Sequence, residues 1–236
     1  MNFIKITVLL LLVISTFGCT EKSTPSVSVA IEPKQDTVIR YLALGDSYTI
    51  GERVAAEERF PAQLVESLRQ SGVKTQSLRI IARTGWTTEE LSNAIADAQI
   101  NDSTYTMVSL LIGVNNQYRG RNVETYPAEF EGLLKRAIKL AGSDKDRVFV
   151  VSIPDYAYTP FGNGNATISA GIDAYNKVSK EISDKYAVLY VNITPISREG
   201  LMDTQLVATD GLHPSGKQYK RWVALMEADV RKLLKK

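Results

Sequence analysis

Ile39-Arg40-Tyr41-Leu42-Ala43-Leu44-Gly45-Asp46-Ser47-Tyr48 carries a short apolar run straight into a glycine, an acid and a serine. The stretch Ile39 to Leu44 is too short for a core helix and reads as a buried strand. Segments of the same kind recur at Ser77 to Ala82, Met107 to Ile112, Val148 to Ile153 and Ala187 to Val191. Between them the apolar spacing turns helical. Phe60, Leu64 and Leu68 mark a first helix. Tyr126, Phe130, Leu133, Leu134, Ala137, Ile138 and Ala141 share one helical face. Ile168, Ile172, Tyr175, Ser179, Ile182 and Tyr186 form a similar stripe, and Tyr219, Trp222, Val223, Met226, Val230 and Leu233 form the last. Thr87 and Glu90 have the spacing of a capping box ahead of Leu91 and Ile95.

Strand and helix alternate along the chain, which predicts a three-layer α/β/α sandwich around a five-stranded parallel sheet. Continuous apolar strands suit burial on both faces. In such sheets ligands sit beyond the carboxyl ends of the strands. Ser47 follows the first predicted strand, Gly85 the second and Asn115 the third; Asp210 and His213 follow the fifth. All fall on one sheet edge, as the parts of one site must.

The chain has a single histidine, in Asp210-Gly211-Leu212-His213-Pro214. A serine hydroxyl needs a base to become a nucleophile, and imidazole is the usual one. The base needs a carboxylate to fix its tautomer and steady its cationic form. Asp210 precedes His213 by three residues, so one tight turn can join their side chains. Ser47, His213 and Asp210 are therefore candidate members of a hydrolytic triad. A G-x-S-x-G elbow is absent, because Thr49 stands where its second glycine would be.

These blocks resemble the GDSL, or SGNH, hydrolases. Gly45-Asp46-Ser47 is similar to their first block, Gly85 within Arg83-Thr84-Gly85-Trp86 to the second, Gly113-Val114-Asn115-Asn116 to the third, and Asp210 to Pro214 to the last. The resemblance covers about residues 38 to 233. It implies a flavodoxin-like fold and a serine esterase acting through an acyl-serine intermediate. By the same resemblance Ser47, His213 and Asp210 are catalytic, and the N–H groups of Ser47 and Gly85 with the Asn115 side chain form the oxyanion hole. The implied substrates are lipid, lysophospholipid or O-acyl carbohydrate esters. The alternative is a non-catalytic lipid- or glycan-binding protein on the same scaffold. Asn116 departs from the usual aspartate at that position, which puts the hydrogen bonding of its loop in question.

Outside the blocks, Tyr156, Tyr158 and Phe161 follow the fourth strand and either line a substrate pocket or pack on the sheet rim. Tyr118 and Arg119 follow the third block; an arginine there either meets an anionic substrate or is simply solvated. Ser47 could cap the segment after it, and Asp46 is expected to bond its own loop.

The 236 residues carry a formal net charge of +2, too small to favour nucleic acid. No histidine and cysteine cluster has metal spacing, so neither a metal nor a cofactor is expected. Lys5 and the apolar run Ile6 to Ile14 read as an export signal, too short to span a bilayer. Gly18 directly before Cys19 has the form of a bacterial lipoprotein signal. The expected organisation is a signal peptide over 1–18, a polar tether over 19–37 and a hydrolase domain over 38–236. Lipidation of Cys19 would hold the enzyme at the cell envelope; ordinary signal cleavage nearby is the alternative.

Overall fold

The computed structural model describes residues 38–100 and 105–234, all within one compact unit. The expected signal peptide, Cys19 and the tether lie outside the described residues.

The strands are β1 (Ile39–Asp46), β2 (Thr75–Arg83), β3 (Met107–Leu111), β4 (Val148–Val151) and β5 (Leu189–Val191). The helices are α1 (Ser47–Ile50), α2 (Phe60–Gln70), α3 (Thr88–Asp97), α4 (Val114–Tyr118), α5 (Tyr126–Leu140), α6 (Ala166–Lys185), α7 (Thr194–Ser197) and α8 (Gly216–Leu233). Each predicted strand segment overlaps an observed one. All pairings are parallel, and the order is β2-β1-β3-β4-β5.

That order explains the layers. The chain moves from β1 outward to β2, then crosses back to β3. Right-handed crossovers in opposite directions place their helices on opposite faces. Accordingly α2 packs with α8, while α5 packs with α3 and α6. The reversal opens a crevice at the carboxyl ends of β1 and β3, where an open α/β sheet takes its ligand.

The apolar strand readings hold for the middle of the sheet, where β3 and β4 are buried throughout. They fail at its edges. β2 exposes Gln76, Ser77, Arg79 and Arg83, and β5 is only half-covered. An edge strand has one unpaired side, and charges along it discourage pairing with another chain. In the middle, the Tyr41 hydroxyl meets that of Ser109 at 2.7 Å, so this buried pair is satisfied.

The helix signals also act as read. Thr87 and Glu90 form the capping box, with the Thr87 N–H donating to Glu90 at 2.8 Å. Pro61 and Pro127 stand in the first turns of α2 and α5, where a missing N–H costs nothing.

Candidate active site

β1 ends in a turn that only glycine allows at position 45. A Cβ there would overlap the Thr49 hydroxyl and lie 2.5 Å from the Leu111 carbonyl. The close approach lets α1 start at once, with Ser47 as its first residue. Its cap is Asp46 rather than Ser47: Asp46 Oδ1 accepts the Tyr48 N–H at 3.0 Å. Asp46 is fully buried, and burial pushes its carboxyl up to about 7 against the hydrogen bonds from Tyr48 and Asn115. The Tyr219 hydroxyl on α8 donates to the Tyr48 carbonyl at 3.0 Å and fixes this turn from behind.

The histidine arrives on a second tight turn. Gly211 N–H donates to Ala208 O at 3.0 Å, and Ala208 N–H to His213 O at 2.7 Å. Inside that turn Asp210 Oδ1 accepts the N–H groups of Leu212 and His213, each at 3.0 Å. Its Oδ2 meets His213 Nδ1 at 2.6 Å. Burial would raise the Asp210 pKa, but the bonds from the His213 ring and the two N–H groups outweigh it and hold the carboxyl below its usual range. An ionised Asp210 only accepts, so Nδ1 carries the proton and Nε2 keeps a free lone pair.

Ser47 and His213 line one cavity of about 240 Å³. Among the described residues no hydrogen bond joins their side chains; catalytic bonds of this kind commonly tighten only in the substrate complex. The Tyr48 ring stands 5.2 Å from the His213 ring, measured between centroids.

Gly85 and Asn115 border the same cavity. Gly85 has φ of 84°, a left-handed conformation that explains the glycine. Asn115 Nδ2 donates to the Trp86 carbonyl at 3.0 Å and lies 3.5 Å from Asp46 Oδ2. Asn116 faces away and is buried. Its Oδ1 accepts the Thr88 N–H at 3.0 Å, and its Nδ2 donates to Thr88 Oγ1 at 2.6 Å and to Glu129 at 3.2 Å. The Thr88 hydroxyl also bonds Glu129. Asn116 thus pins α4, which carries Asn115, to the start of α3.

Of the pocket candidates, Tyr118, Tyr156 and Phe161 line the cavity. Tyr158 and Arg119 do not. Tyr158 packs under Arg198, with the guanidinium 5.9 Å from its ring centre. Arg119 turns onto the Gly85 carbonyl at 2.5 Å and pairs with Glu90 at 3.4 Å. Sequence reasoning missed Tyr48, Thr84, Val114 and Leu212, which also line the cavity. Each sits directly beside a residue of the four blocks, and that adjacency was the available signal. Among the described residues no group of three or more histidine, cysteine, aspartate or glutamate side chains is placed to hold a metal. Among them, too, no helix is long and apolar enough to cross a membrane.

Residues 43–221 match the family described as GDSL-like Lipase/Acylhydrolase. No curated protein sequence matches the chain. Among solved structures, a lipase/acylhydrolase from Enterococcus faecalis is similar at 19% identity and TM-score 0.64, over 81% of this chain and 95% of that one. TesA is similar at 17% and 0.63, over 82% and 98%. Axe2, an acetylxylan esterase from Geobacillus stearothermophilus, is similar at 19% and 0.62, over 84% and 96%. At these identities the likeness establishes the fold.

Proposed function

The chain belongs to the GDSL-like lipase/acylhydrolase family and is a hydrolase of ester bonds; on that premise we propose that Ser47, His213 and Asp210 are its catalytic triad. One observation carries the reading. His213 Nδ1 is tied to Asp210 at 2.6 Å, while its ring and Ser47 border the same cavity.

Ser47 Oγ attacks the acyl carbonyl and gives its proton to His213 Nε2. Asp210 holds the ring and steadies the imidazolium. The carbonyl oxygen becomes an oxyanion, met by the N–H groups of Ser47 and Gly85 and by Asn115 Nδ2. One Asn115 hydrogen is committed to Trp86 O, and the other is held only loosely by Asp46. That second hydrogen is the one available to the oxyanion. His213 then returns the proton to the leaving oxygen and the alcohol departs. Water attacks the acyl-serine, His213 takes its proton, and the acid leaves as Ser47 is regenerated.

Asn116, the departure from the family pattern, is the residue that would favour a binding-only protein. Its bonds to Thr88 and Glu129 account for an amide at that position, so Asn116 gives the alternative no support.

Ser47→Ala should abolish turnover of p-nitrophenyl acetate and labelling by a fluorophosphonate, with an unchanged circular dichroism spectrum. Retention of most of the turnover would overturn the assignment. The envelope location remains part of the proposal and rests on Gly18-Cys19 in the sequence. The wild type should incorporate an alkyne-palmitate label that Cys19→Ala does not, and a wild type that stays unlabelled would refute the anchor.

A further inference from the structure

Given Ser47 as nucleophile, the cavity beside it narrows the ester class. Three rings form one wall. Tyr118 meets Tyr156 edge-on at 6.1 Å, and Phe161 stands 6.2 Å from each of them. Tyr118 is 59% exposed and Phe161 52% exposed, a large apolar area for the mouth of a site. Val114 and Leu212 add aliphatic surface.

The Tyr156–Phe161 side of the wall is fixed in place. The Thr159 hydroxyl donates to Tyr156 O at 2.7 Å, and the Phe161 N–H donates to Gly211 O at 2.9 Å. The second bond ties the wall to the Asp210–His213 turn. Asp155, at the start of the same segment, is buried and paired with Arg198 at 2.9 Å. A surface held this way binds without first being ordered.

Among the described residues no lysine, arginine, aspartate or glutamate lines the cavity. Charges around the cavity are engaged elsewhere: Asp210 with His213, Arg119 with Gly85 and Glu90, and Glu52 with the Thr84 hydroxyl. No cationic side chain lines this wall to pair with a phosphate. Two polar groups are already engaged: the Tyr156 hydroxyl donates to Gln117 at 2.9 Å, and one Asn115 hydrogen goes to Trp86 O. A sugar would leave hydroxyls without partners here, at a cost in binding. The volume of about 240 Å³ falls below the roughly 300–1,000 Å³ of pockets that enclose drug-sized ligands.

We infer that the Tyr118–Tyr156–Phe161 wall seats an uncharged apolar group, a short alkyl chain or an aryl ring. The substrates of this site are then neutral short-chain or aryl esters, rather than phospholipids or acylated glycans.

Two ester series test this, one lengthening the acyl group and one the alcohol. In at least one, kcat/KM should rise by about fourfold per added methylene until the cavity is full. Phe161→Ala and Tyr118→Ala should each flatten that rise. Rates of Ser47 labelling by alkyl fluorophosphonates of increasing length should show the same slope and the same flattening. A flat profile in both series, or a slope that neither variant changes, would overturn the inference. So would faster turnover of a lysophospholipid or an O-acetyl sugar than of the neutral ester with the same acyl group. Failure of the nucleophile reading is separate: it appears as turnover that survives Ser47→Ala, whatever the slope.

Discussion

Arg119 Nη2 donates to the Gly85 carbonyl at 2.5 Å, so one side chain joins the turn after β2 to the helix after β3. Those two segments carry Gly85 and Asn115, both proposed to meet the oxyanion. Arg119 also contacts Glu90 of the capping box at 3.4 Å. It therefore fixes the spacing of two donors without touching substrate.

Arg119→Ala should lower kcat by roughly tenfold, less than the 10²–10³ lost with a donor itself. KM should hardly change, and Arg119→Lys should restore only part, because lysine lacks the planar fork. Steady-state kinetics on p-nitrophenyl acetate checks this. An effect confined to KM would instead place Arg119 on the substrate.

Asn116 and Glu129 share the Thr88 hydroxyl, so they should act as a pair. Asn116→Asp sets a second carboxylate beside Glu129 and should cost both stability and kcat. Glu129→Gln in that background should restore much of both. The double-mutant cycle should give a coupling of about 1–2 kcal/mol. Additive effects would refute the pairing.

Arg198 is the cation that answers the buried Asp155 carboxylate. Arg198→Met leaves Asp155 with the Ser169 hydroxyl and the Ala157 N–H. Breaking a buried pair from one side is expected to cost roughly 3 kcal/mol, read from urea denaturation. Adding Asp155→Asn should recover part of the loss. A cost below about 1 kcal/mol would mean the pair behaves as a surface one.

Asp46 makes stability depend on pH. Its pKa is raised from 3.8 to about 7, so the unfolded chain loses this proton first. The contribution is most favourable below about pH 4, declines as pH rises to about 7, and then levels off. Over that span it amounts to about 4 kcal/mol. Between pH 5 and 8 the wild type should therefore lose roughly 2–3 kcal/mol relative to Asp46→Asn. Parallel denaturation profiles for the two proteins would contradict the raised pKa.

Much of the fold can be read along the chain. The strand segments, the Thr87–Glu90 box and the stripe through Tyr219, Trp222 and Met226 depend on periods of a few residues. So does the Asp210–His213 bond, because one tight turn spans it. The edge character of β2 could not be read this way: Leu78, Ile80 and Ile81 look like a core strand until the sheet order puts β2 at one end.

The α/β sandwich, the sheet edge where the four blocks meet and the turn that pairs Asp210 with His213 are all legible along the chain. These follow from local periodicity and short spacings, which act within one element or one turn. That Arg119 clamps Gly85, that Tyr158 lies under Arg198 and that Asn116 finds Thr88 and Glu129 is set by packing instead. Each of those contacts joins segments distant along the chain. Long side chains such as arginine and tyrosine can turn either way from the same backbone, and the direction is set by what packing brings beside them.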